Sequence, residues 1–140
     1  PPVVRPALDP ATAARIVDAL ARAQRPVLYA GGGVLSARAT SELAALAEAL
    51  EVPVAHTLMG KGCLHERHPL LLGQTGFWGL PISNETCRNA DLIVALEHGE
   101  VAELGTHETL IDRPGGVYAR LHALQMLDER DRSSEEEREA

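Results

Sequence analysis

A short apolar run, three consecutive glycines and a helical stretch follow one another between residues 27 and 50, and this succession restricts the fold most. Residues 27–30 are apolar with β-branched and aromatic members, which predicts a buried strand. Residues 31–33 are a glycine turn, and 36–50 repeat leucine and alanine on one helical face. A second strand is predicted at 52–55. Strand, helix and strand joined by short connections indicate a parallel sheet with the helix on one face.

The rest of the chain extends this alternation. Asp9 and Pro10 form a cap-and-proline pair that opens a predicted helix at 11–23. The other expectations are an extended linker at 1–8, functional loops with a short helix or two between His56 and Gly79, helices at 81–89, 106–111 and 117–127, and strands at 92–96 and 101–104. We expect an α/β fold, a three-layer Rossmann-like domain over residues 1–127 with a short, mostly parallel sheet.

The charge of the chain is concentrated near its end. The formal net charge is -7, and residues 128–140 carry seven acids against three arginines. This balance disfavours nucleic acids and anionic membranes as partners, and no apolar run approaches the roughly 20 residues of a membrane helix. We expect 128–140 to form an acidic disordered tail.

The two cysteines, Cys63 and Cys87, form no CxxC pair. We expect both to be free thiols in a reducing cytoplasm. The chain begins with Pro1 and Pro2, lacks an initiator methionine and shows no signal peptide, so we expect a fragment or a processed product.

The glycine turn has two interpretations. A turn between strand and helix lets the backbone approach a pyrophosphate, and the helix N-terminus supplies N–H donors. Gly31 and Gly33 match the first two glycines of the dinucleotide fingerprint, but Ser36 stands in place of the third. His56 and Thr57 end the second strand without an acid for a ribose, so a nicotinamide nucleotide is disfavoured. The alternative is a tight turn that needs positive φ and binds no ligand.

One group of side chains has the chemistry of metal ligands. Cys63, His65, Glu66 and His68 lie close together in a loop. A zinc site needs three or four convergent ligands, and these residues lack a recognised ligand spacing. We therefore predict no metal site.

Several ordered motifs resemble the central domain of thiamine-diphosphate enzymes, with acetolactate synthases and similar decarboxylases as the nearest relatives. They are RPVLYAGGGV at 25–34, TLMGKG at 57–62, HPLLLG at 68–73, GFWG at 76–79 and ADLIV at 90–94. The resemblance covers about residues 1–96. It implies a DHS-like fold with a six-stranded parallel sheet, placed between two catalytic domains of a longer enzyme.

The resemblance also implies a cofactor site. In flavin-containing members this domain holds FAD, and other members bind ADP or no nucleotide. The implied cofactor-binding residues are Gly32 and Gly33 beside the dinucleotide, Thr57, Leu58 and Met59 along the flavin, and Gly76, Phe77 and Trp78 in a further flavin-contacting segment. Trp78 replaces the histidine that is usual in the family.

The catalytic parts of such an enzyme are absent from this sequence. The resemblance implies that a glutamate in one domain activates thiamine diphosphate and that a GDG…NN motif in another binds its diphosphate with Mg²⁺. Neither motif occurs here, and Glu66 and Asp91 are no substitutes. We expect no catalytic residues in this chain, the missing catalytic domains as partners, and a homo-oligomer in the full enzyme.

From residue 97 the sequence departs from that family. It reads EHGEVAELGTHETL over 97–110, and this is similar to the C-terminal end of ABC-transporter ATPase domains. Residues 116–121 continue the likeness, which covers about 90–127. In those ATPases this end supplies a closing β-hairpin and helices. A Walker A lysine, a signature motif and a Walker B carboxylate are absent, so ATP hydrolysis is not expected.

Three interpretations stay open. The chain is a non-catalytic fragment or hybrid of a thiamine-enzyme central domain with an incomplete FAD or ADP site. Alternatively it is a ligand-free structural or interaction module, or an engineered chimera. The third interpretation is a remnant of an ABC-transporter ATP-binding protein. We further hypothesise that residues 92–104 complete a sheet edge that would otherwise be exposed.

Overall fold

The computed structural model describes residues 9–76, 78–97 and 100–120, which form a five-stranded sheet with helices on both faces. The strands are β1 Pro26–Ala30, β2 Val54–His56, β3 Leu71–Gln74, β4 Leu92–Glu97 and β5 Glu100–Gly105. The helices are α1 Pro10–Arg22, α2 Gly32–Ser36, α3 Thr40–Leu50, α4 Pro81–Asn89 and α5 His107–Ile111, with a 3-10 helix at Leu58–Gly60. Residues 117–120 are also helical. The predicted linker, most of the helix predicted at 117–127 and the acidic tail lie outside the described residues.

The strand order is β3-β2-β1-β4-β5, which places β1 at the centre of the sheet. Strands β1 to β4 run parallel, and β5 pairs antiparallel with β4. The predicted α/β fold with a short, mostly parallel sheet is therefore confirmed, whereas the described residues form five strands, one of them antiparallel, and not the six parallel strands that the resemblance implies.

The first face of the sheet is covered by α1, α2 and α3. Successive residues of a strand point to opposite faces, so Leu28 and Ala30 of β1 join this layer. The helices contribute buried aliphatic side chains to it: Ile16, Leu20, Val34, Leu43 and Ala47. Full burial of a leucine or isoleucine stabilises a fold by roughly 1.5–3 kcal/mol, so these contacts hold the first layer in place.

The second face is covered by α4, α5 and the helical residues after 116. Cys87, Leu110 and Tyr118 form a buried cluster there with Tyr29 of β1. The rings of Tyr29 and Tyr118 meet edge to face with centroids 5.9 Å apart. Leu110 and Tyr118 thus belong to the same core as β1, and the predicted three-layer arrangement is present.

A buried carboxylate of β5 holds the start of the helical residues 117–120 against the second face. Glu103 of β5 is only 5% exposed, and its two carboxylate oxygens accept the backbone N–H groups of Val117 and Tyr118 at 3.1 and 2.8 Å. The N-terminus of a helix favours such an anion because its first N–H groups lack helical partners.

The helix predicted at 36–50 is wrong in its boundaries. The structure has two helices, α2 and α3, and Gly32 and Gly33 lie inside α2 rather than in a turn before it. The break follows from a Schellman motif: Arg38 has φ 55°, and the N–H of Ala39 donates to the carbonyl of Val34. Sequence periodicity does not show such a break, because the apolar spacing continues through it.

The loop prediction between His56 and Gly79 is wrong for one segment. It holds the expected short helix, at Leu58–Gly60, but also strand β3. This strand pairs with β2 through a register shift, with Val54 opposite Leu71 and Ala55 opposite Gly73. Gly73 has φ 105°, and a four-residue strand with an irregular register gives no alternation in the sequence.

The predicted strands at 92–96 and 101–104 are confirmed as β4 and β5. They form an antiparallel hairpin in which β5 covers the outer edge of β4, in agreement with the hypothesis for residues 92–104. Within the described residues, no helix combines the length and the apolar character required to cross a membrane.

Candidate functional site

Three predicted segments follow three neighbouring parallel strands. The first segment is residues 31–33 after β1, the second is 57–59 after β2, and the third is 76–78 after β3. Because the strands are parallel and adjacent, their carboxyl ends lie at one end of the sheet. Open α/β sheets bind ligands there, outside the strand ends. We call these three segments together the carboxyl end.

The first and second segments are in direct contact. The N–H of Thr57 donates to the carbonyl of Ala30 at 3.0 Å. A Cβ atom at Gly32 would lie 3.2 Å from both the Cβ and the carbonyl oxygen of Met59. Gly60 approaches more closely still, since a Cβ there would overlap the carbonyl oxygen of Ala30. Glycines at these two positions allow the backbones to pack side by side.

The glycine at position 33 has no such steric reason. A Cβ there would meet nothing within 4 Å, and the residue lies in a helix with negative φ. Gly31 is extended, with φ -103°. The prediction that this turn needs positive φ is therefore wrong. Neither the space around Gly33 nor its backbone conformation therefore requires a glycine.

The second segment presents apolar side chains to solvent. Thr57 caps the 3-10 helix by accepting the N–H of Gly60 at 3.2 Å on its hydroxyl. Leu58 and Met59 are 64% and 73% exposed, although large apolar side chains are normally buried. The arrangement offers an apolar surface beside the backbone donors of the first segment.

The third segment is joined to the second through Thr75. Its backbone N–H and its hydroxyl both donate to the carbonyl of His56, at 2.9 and 3.2 Å. Trp78 is 74% exposed, and Phe77 lies outside the described residues. A groove of about 560 Å³ runs beside this segment along α4, with Asn84 and Arg88 in its wall.

Residues 13–99 match the family model for the thiamine pyrophosphate enzyme, central domain. The chain belongs to this family. The match includes all three segments, the four parallel strands and α4, so the resemblance to this family is confirmed. The likeness of later residues to an ABC-transporter ATPase lies mostly beyond the matched range and stays a prediction.

The chain matches only a small part of the length of its curated relatives. The probable acetolactate synthase large subunit of Methanococcus aeolicus is 43% identical over 82 residues, which are 59% of this chain and 14% of that protein. The corresponding protein of Methanocaldococcus jannaschii is 46% identical over 77 residues, or 55% of this chain and 13% of the relative. Glyoxylate carboligase of Escherichia coli O157:H7 is 44% identical over 75 residues, which are 54% of this chain and 13% of that protein.

The loop residues considered as metal ligands have separate surroundings in this central domain. Cys63 is fully buried in the first layer, and burial raises the pKa of its thiol. His68 pairs with Glu48 at 3.1 Å, and the Nδ1 of His65 accepts the N–H of Arg67. Among the described residues no group of three or more potential ligands comes together.

The opposite end of the sheet holds a residue whose role the sequence analysis missed. The carboxylate of Asp91 accepts the N–H groups of Gln24 and Arg25 at 2.7 and 2.8 Å, and Arg25 Nε donates to the carbonyl of Asn89. Desolvation raises the pKa of Asp91, but the two backbone donors and the charge of Arg25 outweigh it and hold the pKa below its usual value. The ADLIV motif contained this residue without showing its function, which is to tie the start of β1 to the start of β4.

Proposed function

We propose that this chain is the central-domain segment of an acetolactate synthase-like, thiamine-diphosphate-dependent enzyme, and that its carboxyl end binds FAD or ADP. Gly33 carries this proposal. It is a helical glycine at which an added Cβ would meet nothing within 4 Å and whose φ is negative, so neither packing nor backbone conformation requires a glycine there. A ligand that approaches the backbone closely would account for it.

The residues present fit such a group. The first segment would offer backbone N–H donors to a pyrophosphate. The helix dipole of α2 would add little to this attraction, because α2 has only five residues. Leu58 and Met59 offer apolar surface to a planar ring. When bound, FAD would supply an isoalloxazine ring and a pyrophosphate, and this chain would bind and orient them.

The thiamine chemistry belongs to other domains in this proposal. The chain spans 13–15% of the length of the acetolactate synthases to which it is similar, so thiamine diphosphate and Mg²⁺ would be held outside it. The missing catalytic domains are then the natural partners of this chain, and the complete enzyme would be a homo-oligomer.

The test is a titration of the chain with FAD and, in parallel, with ADP. Gly33→Ala should weaken binding by at least about tenfold and leave the fold intact, because the added methyl group meets only the ligand. Ser41→Ala on the exposed surface of α3 is the matched control and should bind normally. Wild-type binding retained in Gly33→Ala would contradict the proposed site, and absence of binding by the wild type would contradict the proposed function.

A second candidate function is a ligand-free interaction module, favoured by the exposure of Leu58, Met59 and Trp78. Apolar side chains grouped at one end of a domain are typical of protein contacts. Sedimentation of the chain across a concentration series tests self-association. Association that Met59→Ser abolishes, together with no response to FAD, would favour this candidate.

We also propose that residues from about 97 to 127 are an ABC-ATPase-like tail with a structural role, in a hybrid that arose by recombination or engineering. The β4–β5 hairpin followed by α5 supports this, because the resemblance implies a closing hairpin and helices. Rapid proteolytic trimming between Glu97 and Gly105 would contradict the structural role. A Walker A motif in the coding sequence upstream of Pro1 would instead favour a transporter remnant.

A cytoplasmic location is the last part of the proposal. Cys63 and Cys87 are both buried free thiols, and burial raises the pKa of Cys87 to about 12. A thiol assay on the denatured, purified chain should therefore count two reactive thiols. A mixed disulfide at Cys63 or Cys87 would contradict a cytoplasmic location.

A further inference from the structure

Two glycines of the connection between β3 and α4, Gly76 and Gly79, have restricted backbones. Gly76 has φ 99°, a conformation that side chains rarely adopt. A Cβ at Gly79 would lie 2.6 Å from the carbonyl oxygen of Gln74 and 2.7 Å from the nitrogen of Gly76. The N–H of Leu80 donates back to Gln74 at 2.9 Å. Trp78 is carried by this turn at the carboxyl end.

One side chain holds both backbone groups of Gly76. Asn84, in the first turns of α4, accepts the N–H of Gly76 on Oδ1 at 2.8 Å and donates from Nδ2 to the carbonyl of Gly76 at 3.0 Å. A carboxamide has a donor and an acceptor side by side. It can therefore bind the backbone N–H and the carbonyl of one residue, as a residue of a neighbouring antiparallel strand does. The Asn84 side chain is partly buried, which strengthens these bonds relative to water.

We infer that Asn84 is a positioning residue for the nucleotide site. It fixes Gly76 and thereby the direction in which Trp78 leaves the turn. This inference rests on the proposed function for its role in binding, whereas its effect on the turn is independent of any ligand. Binding is tighter when the groups that contact the ligand are already held in place, because less conformational entropy is lost on association.

A purely structural role would have different consequences. Asn84 would then anchor α4 to the sheet, and its loss would lower the unfolding temperature without changing the motion of Trp78 in the folded protein. Trp78 is the single tryptophan of the chain, so its fluorescence reports this turn alone. Its anisotropy and its quenching by acrylamide therefore separate the two roles.

The experiment compares Asn84→Ala and Asn84→Asp with Asn89→Ala, an exposed control at the end of the same helix. In Asn84→Ala, Trp78 anisotropy should fall, acrylamide quenching should rise, and FAD affinity should drop roughly tenfold. Asn84→Asp keeps the acceptor and loses the donor, so it should lie between Asn84→Ala and the wild type. Asn89→Ala should match the wild type in all three measurements.

The outcomes separate this inference from the proposed function. Unchanged Trp78 anisotropy and quenching in a folded Asn84→Ala protein overturn the inference, whatever FAD does. If circular dichroism shows that Asn84→Ala is unfolded, the same criterion applies to Asn84→Asp. A wild type that ignores FAD while Asn84→Ala frees Trp78 overturns the proposed function and retains Asn84 as the residue that positions the turn.

Discussion

The two ends of the same parallel sheet are built in opposite ways. At the amino end, Asp91 ties the chain together with hydrogen bonds from Gln24 and Arg25, and each donor has a charged acceptor. At the carboxyl end, glycines bring backbones together, and Met59 and Trp78 face solvent. The amino end therefore serves stability, whereas the carboxyl end exposes apolar surface. This difference supports the proposal that a ligand binds at the carboxyl end, and substitutions at each end can test it.

The largest loss of stability is expected from Gly60→Ala, directly after the second segment of the carboxyl end. The added Cβ overlaps the carbonyl oxygen of Ala30 and lies 3.2 Å from the Cβ of His56. Backbone atoms cannot move away cheaply, so we expect about 3 kcal/mol of destabilisation in urea unfolding followed by circular dichroism. A loss below about 1 kcal/mol would show that the first two segments can separate easily.

At the amino end, Asp91→Asn should lower the unfolding temperature by several degrees and leave FAD binding unchanged. The neutral amide weakens the bonds that the Gln24 and Arg25 N–H groups donate. An effect on FAD affinity as large as that on stability would contradict the division of roles between the two ends.

The same residue predicts a dependence on pH. The pKa of Asp91 is lowered in the folded state, so its contribution is fully present above the unfolded pKa, near about pH 4, and is lost as pH falls through the folded pKa. Unfolding temperatures recorded from neutral to acidic pH should fall more steeply for the wild type than for Asp91→Asn. Parallel curves would contradict the assignment.

Thr57→Ala should have a smaller effect. It removes the hydroxyl that caps the 3-10 helix at Gly60 N–H, and loss of a cap costs about 1 kcal/mol. Thr57→Ser keeps the hydroxyl and is the matched control. Because the cap also orients Leu58 and Met59, FAD affinity should fall in Thr57→Ala and recover in Thr57→Ser, and equal affinity in the two variants would speak against this role.

The smallest effects concern two helix ends. Arg38 and Glu51 have φ near 55° and follow α2 and α3, where glycine is the preferred residue. Arg38→Gly and Glu51→Gly should each stabilise the fold by about 0.5 kcal/mol, since the strain removed slightly exceeds the added entropy of the unfolded chain. Thermal unfolding of both variants checks this, and destabilisation by Arg38→Gly alone would indicate a role for its side chain.

Most of the fold could be predicted because its elements carry local signals. The apolar run of β1 and the cap of α1 at Asp9 give the positions of both elements within one or two residues. Strand β3 could not be predicted, because it has only four residues, pairs with β2 through a shifted register and shows no alternation in the sequence. The break at Arg38 depends on backbone conformation, which the spacing of leucines does not show.

The site was predictable to a different degree. The three segments were found through family motifs, and the parallel strands bring them to one end of the sheet. The roles of Asp91 and Asn84 could not be predicted, because each side chain binds backbone groups of a different part of the chain. The assignment of Gly32, Gly33, Thr57, Leu58, Met59, Gly76, Phe77 and Trp78 to cofactor binding stays a prediction.

The most direct test of the account is an amide NMR correlation spectrum of the isolated chain, recorded with and without FAD. We expect dispersed peaks, with shifts on addition of FAD at residues 31–33 and 57–59 and none at Gln24, Arg25 or Asp91. Dispersed peaks that ignore saturating FAD, or shifts confined to the amino end, would contradict the claim that the carboxyl end is the binding site.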